Sequence, residues 1–309
     1  MLSAFRQRLP AYGLASSGLL TLAAAGSLGR LEVHAASDFD LVAINAGGGA
    51  EDDALAPVFA LGAELGLALP KSHGIYRETL PRGRLCPPDA RGSLKESPAA
   101  FGKRMSLLLD ARPLWGDDAF NALRVDVLDW YAAGRVGRLA DAQWDFLLHD
   151  LQRYAHAYAG WQAFHFEREA SDGWLLRQAK LAGSRLITFA GLLCLLGASS
   201  TMGREKLPWV SAQLALTPLQ RLRVAMAEEP AEFSALCADY EALHARLSHP
   251  TARAALVADS PLSLEAALLP SAARRDIECL GNSLRRRVAN FVLARRGEWH
   301  PDFFAALLF

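Results

Sequence analysis

Two aspartates separated by one residue have the clearest capacity for metal chemistry in this sequence. Asp38 and Asp40 flank Phe39, and an apolar run from Leu41 to Ile44 follows them. Because side chains alternate along an extended strand, both carboxylates project from the same face. Carboxylates held this close repel each other, and hard divalent ions such as Mg²⁺ or Mn²⁺ accept oxygen ligands of this kind. We therefore predict that Asp38 and Asp40 bind a divalent metal.

A glycine–serine segment lies shortly before the aspartates in the chain. Gly26 and Ser27 end a run of small residues, and Gly29 follows soon after them. Glycines permit a tight turn, and the backbone N–H groups of such a turn are suited to binding a phosphate. Metal-binding carboxylates beside a phosphate-binding turn are typical of phosphoryl or nucleotidyl transfer, in which the metal is shared with the substrate phosphates.

The two segments together resemble the signature of a known superfamily. Residues 26–32 read GSLGRLE and residues 37–40 read SDFD, which is similar to the signature of the DNA polymerase β-type nucleotidyltransferases. The likeness is greatest to the branch of PII uridylyltransferases, glutamine-synthetase adenylyltransferases and their uncharacterised bacterial relatives. The resemblance implies that Asp38 and Asp40 are catalytic metal ligands and that the turn binds nucleotide phosphates. The alternative is an exposed acidic pair beside an ordinary loop.

Arg30 and Glu32 complete the resemblance but leave one question open. Arg30 either contacts a phosphate of the nucleotide or pairs with Glu32 and braces the loop. The sequence favours neither interpretation. Within the resemblance, Ser27 and the backbone around Gly26 bind the β- and γ-phosphates, and Gly29 belongs to the same phosphate-binding segment.

A third carboxylate is expected from a later strand, because nucleotidyltransferases of this kind usually have one. Glu78 is one candidate, in a segment that is a predicted strand. Asp110 is the other, and it follows an Arg-Met pair and a run of leucines that the relatives also have. In the relatives that segment resembles a helix packed on the sheet. A solvated charge or a structural ion pair is the alternative for each residue.

A second cluster of candidates lies in the later part of the chain. Arg177, Lys180 and Ser184 recur at steps of three and four, which places two cations and a hydroxyl on one face of a helix. The preceding predicted helix carries Asp150, Arg153 and Tyr154. These residues approach the same face if the two helices pack antiparallel. The alternative is an ordinary solvated helix face.

The uncharacterised relatives have a similar pairing, an Asp-x-x-Arg-Tyr followed by a Lys-Leu-x-x-Ser-Arg. The resemblance implies that Lys180 and Ser184 contact the triphosphate of the nucleotide. Arg153 and Arg185 then become supporting cations. In this sequence His149 precedes Asp150, and Ala155 and Ala157 flank His156, where the relatives have bulkier or more basic residues. The resemblance therefore does not carry over substrate contacts from this helix.

Short strands and the loops between them must position the first group of residues. Apolar patterning predicts a strand at about 19–25, a second at about 39–45, and a helix that ends near Leu65. A further strand is predicted at about 74–80. From Trp115 the pattern is helical, and the main predicted helices cover about 116–134, 141–169, 174–197 and 273–296.

We therefore predict an α+β fold in two domains. Residues 1–114 form a nucleotidyltransferase head with a small mixed β-sheet, and residues 115–309 form an α-helical bundle. In the superfamily a helical domain closes over the nucleotide. The resemblance implies the same role for the second domain here.

The charge balance gives no general attraction to polyanions. The 309 residues include 33 Lys and Arg against 33 Asp and Glu, so nucleic acid is not favoured as a partner. One local exception is the run Arg285–Arg287. It is suited to an acidic partner, a phosphate or RNA, or it forms a solvated face balanced by Asp276 and Glu278.

Cysteine usage and hydropathy favour a cytoplasmic protein with no membrane partner. The four cysteines have no paired spacing, which argues against a disulfide framework and a zinc site. The N-terminus lacks the features of a signal peptide. The apolar run from Leu186 to Ala198 is shorter than the roughly 20 residues that a membrane span needs, so we expect a buried helix there.

The sequence therefore predicts a Mg²⁺-dependent enzyme that transfers a nucleoside monophosphate from a triphosphate such as ATP and releases pyrophosphate. By resemblance, the acceptor is a protein side chain ahead of a small molecule or an RNA end. One alternative is a catalytically silent, nucleotide-binding regulatory domain. Another is a phosphohydrolase with an acidic pocket on the same fold.

Overall fold

The structure is a computed structural model, and it describes residues 1–47, 52–70, 75–93, 95–169, 173–258 and 272–308. Its strands are β1 Leu19–Ala24, β2 Leu41–Asn45, β3 Thr79–Pro81 and β4 Arg112–Trp115. Its α-helices are α1 Leu2–Arg8, α2 Gly26–Arg30, α3 Ala56–Glu64, α4 Pro98–Leu109, α5 Asp117–Ala132, α6 Asp145–Glu169, α7 Trp174–Lys180, α8 Leu186–Ser199, α9 Lys206–Gln213, α10 Pro218–Ala225, α11 Pro230–Ser248, α12 Pro250–Ala258, α13 Ala272–Ala294 and α14 Pro301–Leu308.

A small mixed sheet surrounded by helices confirms the α+β class in its coarse form. The strand order is β3-β2-β1-β4, with β1 antiparallel to both β2 and β4, and β3 parallel to β2. A parallel neighbour needs a crossover connection, and α3 supplies it between β2 and β3. The two central strands are almost entirely buried, which matches their small and aliphatic residues.

The strands agree with the sequence in part. The predicted strands at 19–25 and 39–45 correspond to β1 and to the shorter β2. The strand predicted at 74–80 is wrong in extent, because β3 contains only Thr79–Pro81. Gly74, the first residue of the predicted strand, lies outside the described residues. Strand β4 was not predicted. It has four residues and places Pro113 opposite Ala23, and an edge strand with a proline has little sequence signal.

By packing, the chain forms two compact units. The first contains Met1–Leu147 and Met202–Thr217, and the second contains Leu148–Thr201 and Pro218–Phe309. Helices α5 and α9 therefore belong to the unit that holds the sheet. The predicted domains, a nucleotidyltransferase domain at 1–114 and a helical domain at 115–309, are defined by function as well as by boundary. They stay a prediction.

In the first unit a buried guanidinium fixes the long loop before α4. Arg104 is fully buried and forms a two-point ion pair with Glu96, of which the Nη2–Oε2 distance is 2.7 Å. It also donates to the Leu85 carbonyl and to the Tyr131 hydroxyl, each at 2.9 Å. Its guanidinium lies 4.5 Å from the centre of the Trp130 ring. One cation thus joins the loop, α4 and α5.

Helix α4 carries a second buried cation. Lys103 is fully buried, and its Nζ atom has no hydrogen-bond partner among the described residues. Burial lowers the pKa of Lys103 to about 8, and the charge of Glu78 opposes that shift. An ammonium group without a partner is costly inside a protein, so Lys103 lowers the stability of this unit while it is protonated.

The second unit is built on a continuous helix from Trp174 to Ser199, in which a π-helical turn at Leu181–Arg185 joins α7 to α8. Helix α8 packs closely on α10, and a Cβ atom placed on Gly191 would lie 2.6 Å from the carbonyl oxygen of Pro218. By length and composition the continuous helix is apolar enough to cross a membrane. An 18-residue window of this helix has a mean hydropathy of 1.7, and 61% of that window is buried within the structure.

The ion pairs around the arginine run differ from those expected. Asp276 pairs with Arg246 at 2.7 Å, and Glu278 pairs with Arg274 at 2.8 Å. Within the run, Arg287 instead bonds Asp239 of α11 at 2.8 Å. Asp276 and Glu278 therefore pair with arginines outside the run, and α11 supplies the acid for Arg287 alone among the described ion pairs of the run.

We expect Lys103→Met to stabilise the protein. The unfolded chain binds more protons than the native state between pH 8 and the ordinary lysine pKa, so wild-type stability rises with pH in that window. At pH 7 the substitution should raise the free energy of unfolding by about 3 kcal/mol, because one pKa unit corresponds to about 1.4 kcal/mol. Urea unfolding at pH 7 and above pH 10 measures the difference, which should nearly vanish at the higher pH.

The matched control for Lys103 is Lys95→Met, since Lys95 is exposed in the same unit. That variant should unfold like the wild type at both pH values. A Lys103→Met protein that is no more stable than Lys95→Met at pH 7 would contradict the burial of an unpartnered ammonium group.

Candidate functional site

The segment that carries the two aspartates is anchored by the residue between them. Phe39 is fully buried, and its ring centre lies 5.0 Å from that of Phe5 and 6.0 Å from that of Phe59. Asp38 is exposed and Asp40 is half-buried. The segment therefore holds its aromatic ring in the core and leaves the Asp38 side chain exposed to solvent.

Backbone hydrogen bonds on both sides fix the same segment. The Phe39 N–H donates to the Ala68 carbonyl at 2.8 Å, and the Ala68 N–H donates to the Ser37 carbonyl at 3.1 Å. On the other side, the Ala25 N–H donates to the Asp40 carbonyl at 2.8 Å. The residue before the glycine–serine turn is thus tied directly to the second aspartate.

Gly26 lies in contact with the Asp40 carboxylate. A Cβ atom placed on Gly26 would lie 2.5 Å from Asp40 Oδ2, closer than real Cβ contacts come. Gly26 also has a φ of +64°, which L-residues rarely adopt. Glycine is therefore required here by the backbone angle and by the carboxylate. Ser27 follows at the beginning of α2 and is half-buried.

Arg30 braces the turn through two ion pairs. Its Nε atom lies 2.8 Å from Glu32 Oε2, and its Nη1 atom lies 2.8 Å from Asp110 Oδ2. All three side chains are largely buried. Of the two interpretations that the sequence left open, the geometry is that of the brace to Glu32. The second partner, Asp110, comes from the end of α4.

Gly29 allows α2 and the end of α4 to approach this closely. A Cβ atom on Gly29 would lie 2.2 Å from the Asp110 carbonyl oxygen and 2.6 Å from that of Ala24. Both contacts are with backbone atoms, which cannot move aside easily. Gly29 therefore serves close packing in this structure, and its predicted contact with phosphate stays a prediction.

The two candidates for a third carboxylate have different surroundings. Asp110 is ion-paired with Arg30. Glu78 is exposed and immediately precedes Thr79, which pairs with Ala43 of β2. Among the described residues, no group of three or more His, Cys, Asp or Glu side chains is arranged to hold a metal ion. Neither candidate is thereby assigned.

The residues predicted from the helical half come together within the second unit. Helix α6 packs antiparallel to the helix that contains α7 and α8, since Tyr154 lies 5.9 Å from Phe189 and the Arg185 guanidinium lies 4.9 Å over Tyr158. Lys180 is the last residue of α7. Ser184 and Arg185 belong to the π-helical turn that follows.

Arg153 lies on α6 and pairs with Asp150 at 3.1 Å. Asp150 is buried, whereas 28% of the Arg153 side chain is exposed. Lys180, Ser184 and Arg185 are half-buried. A π-helical turn is uncommon and frequently marks a functional site, and no sequence pattern identified above predicts it.

Sequence reasoning missed two features of the first group. It did not link Asp110 to Arg30, although it named both residues, because they are 80 positions apart. It also missed the pairing of the aspartate segment with Ala68. An isolated bridge between single residues has no repeating pattern from which it can be predicted.

Comparison of the chain with protein-family models, with curated proteins and with solved structures found no significant match. We therefore infer function from the residues of the site and from their geometry. Two observations are available for this purpose: the contact between Asp40 and Gly26, and the brace that joins Arg30 to Glu32 and Asp110.

We expect Arg30→Met to destabilise the first unit by about 3–5 kcal/mol, because it leaves buried carboxylates without their cation. Urea unfolding measures the loss. The matched control is Arg82→Met, which removes an exposed ion pair with Asp126 and should cost about 1 kcal/mol or less. Equal costs for the two variants would show that the brace does not stabilise the unit.

Proposed function

We propose that the chain is a metal-dependent nucleotidyltransferase, which moves a nucleoside monophosphate from a nucleoside triphosphate to an acceptor and releases pyrophosphate. One observation carries the proposal: the Asp40 carboxylate lies against Gly26 of the Gly26-Ser27 turn. The Asp40 carboxylate and the glycine–serine segment, which are separate in the sequence, are thus in contact in the fold. This juxtaposition is what the superfamily signature requires.

The donor set fits a hard divalent cation. Asp38 is exposed, and the half-buried Asp40 has its carboxylate against Gly26. Mg²⁺ commonly takes one or two protein carboxylates and completes its shell with water and substrate phosphates. When bound there, Mg²⁺ or Mn²⁺ would neutralise charge on the phosphates. The protein's own task is to hold the two carboxylates in place, and Phe39 and the Ala68 hydrogen bond do so.

The turn has the complementary task of binding phosphate. We propose that Ser27 and the backbone around Gly26 contact the β- and γ-phosphates. Arg30 acts through the position of the turn, since its guanidinium is bonded to Glu32 and Asp110. A turn that is rigid before the substrate arrives loses less entropy on binding and holds its donors in fixed directions.

In the second unit, we propose that Lys180 and Ser184 contact the triphosphate, with Arg153 and Arg185 as supporting cations. The support is their common location, at the π-helical turn and on the helix packed antiparallel to it. The closure of a helical domain over the nucleotide is part of the resemblance and stays a prediction. The acceptor also stays a prediction, and a protein side chain is favoured over a small molecule or an RNA end.

A nucleotide-binding regulatory domain without turnover is the second candidate. Two observations favour it. Asp110, one candidate for the third carboxylate, is bonded to Arg30. The described part of the chain has no group of three or more metal-binding side chains. Both candidates predict nucleotide binding, and only the transferase predicts release of pyrophosphate.

We expect Asp38→Asn with Asp40→Asn to abolish nucleotidyl transfer. The wild type is incubated with Mg²⁺ and each of the four NTPs labelled at the α-phosphate, with and without heat-treated cell extract as a source of acceptors. Pyrophosphate release and retained label should fall by at least about a hundredfold in the double variant, because loss of the metal removes several kcal/mol of charge stabilisation. Asp89→Asn, an exposed acid in the same unit, is the control and should behave like the wild type.

Calorimetry with the same NTPs separates the remaining outcomes. Binding by the wild type without pyrophosphate release would favour the regulatory domain. Loss of NTP without any labelled acceptor would favour the phosphohydrolase. If no NTP binds in the presence of Mg²⁺, the assignment of the site is wrong.

Gly26→Ala tests the geometry of the site more directly. The added methyl group would occupy the position of the Asp40 carboxylate, so we expect transfer to fall about as far as in the aspartate variant, by a hundredfold or more. Gly18→Ala is the matched control, because Gly18 also has a positive φ but has open space around its Cβ position. Equal activity of the two variants would show that the Asp40–Gly26 contact does not serve catalysis.

A further inference from the structure

The second unit contains a cavity of about 270 Å³ between α7, α12 and α13. Its floor is apolar and buried, formed by the residues Leu175, Ala179, Ala182, Leu256, Ile277 and Gly281. Polar side chains surround the opening, among them Gln178, Asn282 and Arg285, with Trp174 beside them. A concave apolar floor with a few polar groups at its edge is the usual form of a small-molecule site.

One cation at the opening is available to a ligand. Arg274 and Glu278 also line the cavity, and they pair with each other at 2.8 Å. Arg285 donates from Nη1 to Asn282 Oδ1 at 3.1 Å, and within the described ranges no carboxylate pairs with it. Asn282 therefore orients the guanidinium without neutralising its charge. A planar guanidinium binds a carboxylate or a phosphate group through two parallel hydrogen bonds.

The cavity is separate from the residues proposed to bind the triphosphate. At 100° per residue, Leu175, Gln178 and Ala179 lie on one side of the helix, and Lys180 lies on the other. Ala182 is part of the π-helical turn and also lines the cavity. A ligand in the cavity would therefore contact the turn that carries Ser184 and Arg185 through Ala182.

We propose that this cavity binds a small organic anion, with its acidic group on Arg285 and a planar apolar body over the floor beside Trp174. The volume suits a ligand with an apolar part the size of one aromatic ring, near the lower end of known ligand sites. Burial of the ring provides apolar contact, and the cation fixes its orientation. This inference does not depend on nucleotidyl transfer.

Phenylacetate and phenyl phosphate are suitable probes, and they distinguish a carboxylate from a phosphate ligand. Calorimetry with the full chain should give a Kd of about 1 mM or lower for at least one of them, as expected for a ligand of this size. Phenylacetamide lacks the charge and acetate lacks the ring. Each should bind at least about tenfold more weakly, which corresponds to 1.4 kcal/mol.

Variants locate the binding to the cavity. Arg285→Met should weaken the better aromatic anion at least about tenfold, whereas the control Arg286→Met removes the same charge from an adjacent exposed position and should have no such effect. Ala179→Leu fills the floor and should block all aromatic probes. Circular dichroism establishes whether each variant is folded. If Arg285→Met is not folded, Asn282→Ala replaces it, because that variant removes the acceptor that orients Arg285.

Two results would overturn the proposal. One is the absence of binding by both aromatic anions to the wild type at 10 mM. The other is binding that is equally strong in folded Arg285→Met and Arg286→Met proteins, which would place the anion elsewhere.

Discussion

Arg30 shares its guanidinium between Glu32 and Asp110, and the first unit depends on that pairing. Arg30 lies in the turn after β1, and Asp110 ends α4, so the two ion pairs join the turn to a helix packed against the sheet. Two carboxylates are buried beside one cation, which is stable only while all three remain together. Arg30, for which the sequence left a phosphate contact and a brace open, forms the brace in this fold.

Two glycines in the turn allow close approach of neighbouring groups, and one of these approaches makes the pairing possible. Gly29 lets the backbone of Asp110 come against α2, which brings the Asp110 carboxylate within reach of Arg30. Gly26 lets the Asp40 carboxylate lie on the turn. Both glycines are therefore required for distance, and a larger residue at either position would separate groups that the fold holds in contact. The geometry of the candidate site therefore depends on the short distances from Gly29 to the Asp110 backbone and from Gly26 to the Asp40 side chain.

Helix α4 shows how polar side chains can be buried for different physical reasons. Arg104 is surrounded by Glu96, the Leu85 carbonyl and the Trp130 ring, so its charge is compensated. Lys103, its neighbour, has no such partner, and its pKa falls because the charged form is not stabilised. In the second unit, the continuous helix from Trp174 to Ser199 has two different groups of residues. Residues of α7 and Ala182 line a cavity, and the π-helical turn carries Ser184 and Arg185.

The sequence by itself determined the residue types that can do chemistry, the α+β class, and most of the helices. Periodicity is a local signal, and the helix predicted at about 116–134 agrees with α5, which covers Asp117–Ala132. Only the tertiary structure decided which charged groups meet. Arg30 and Asp110, or Arg287 and Asp239, are far apart in the chain, and no local pattern encodes their contact. The short strand β4 and the π-helical turn likewise arise from packing, because neighbouring elements stabilise local structures that their own sequences favour only weakly.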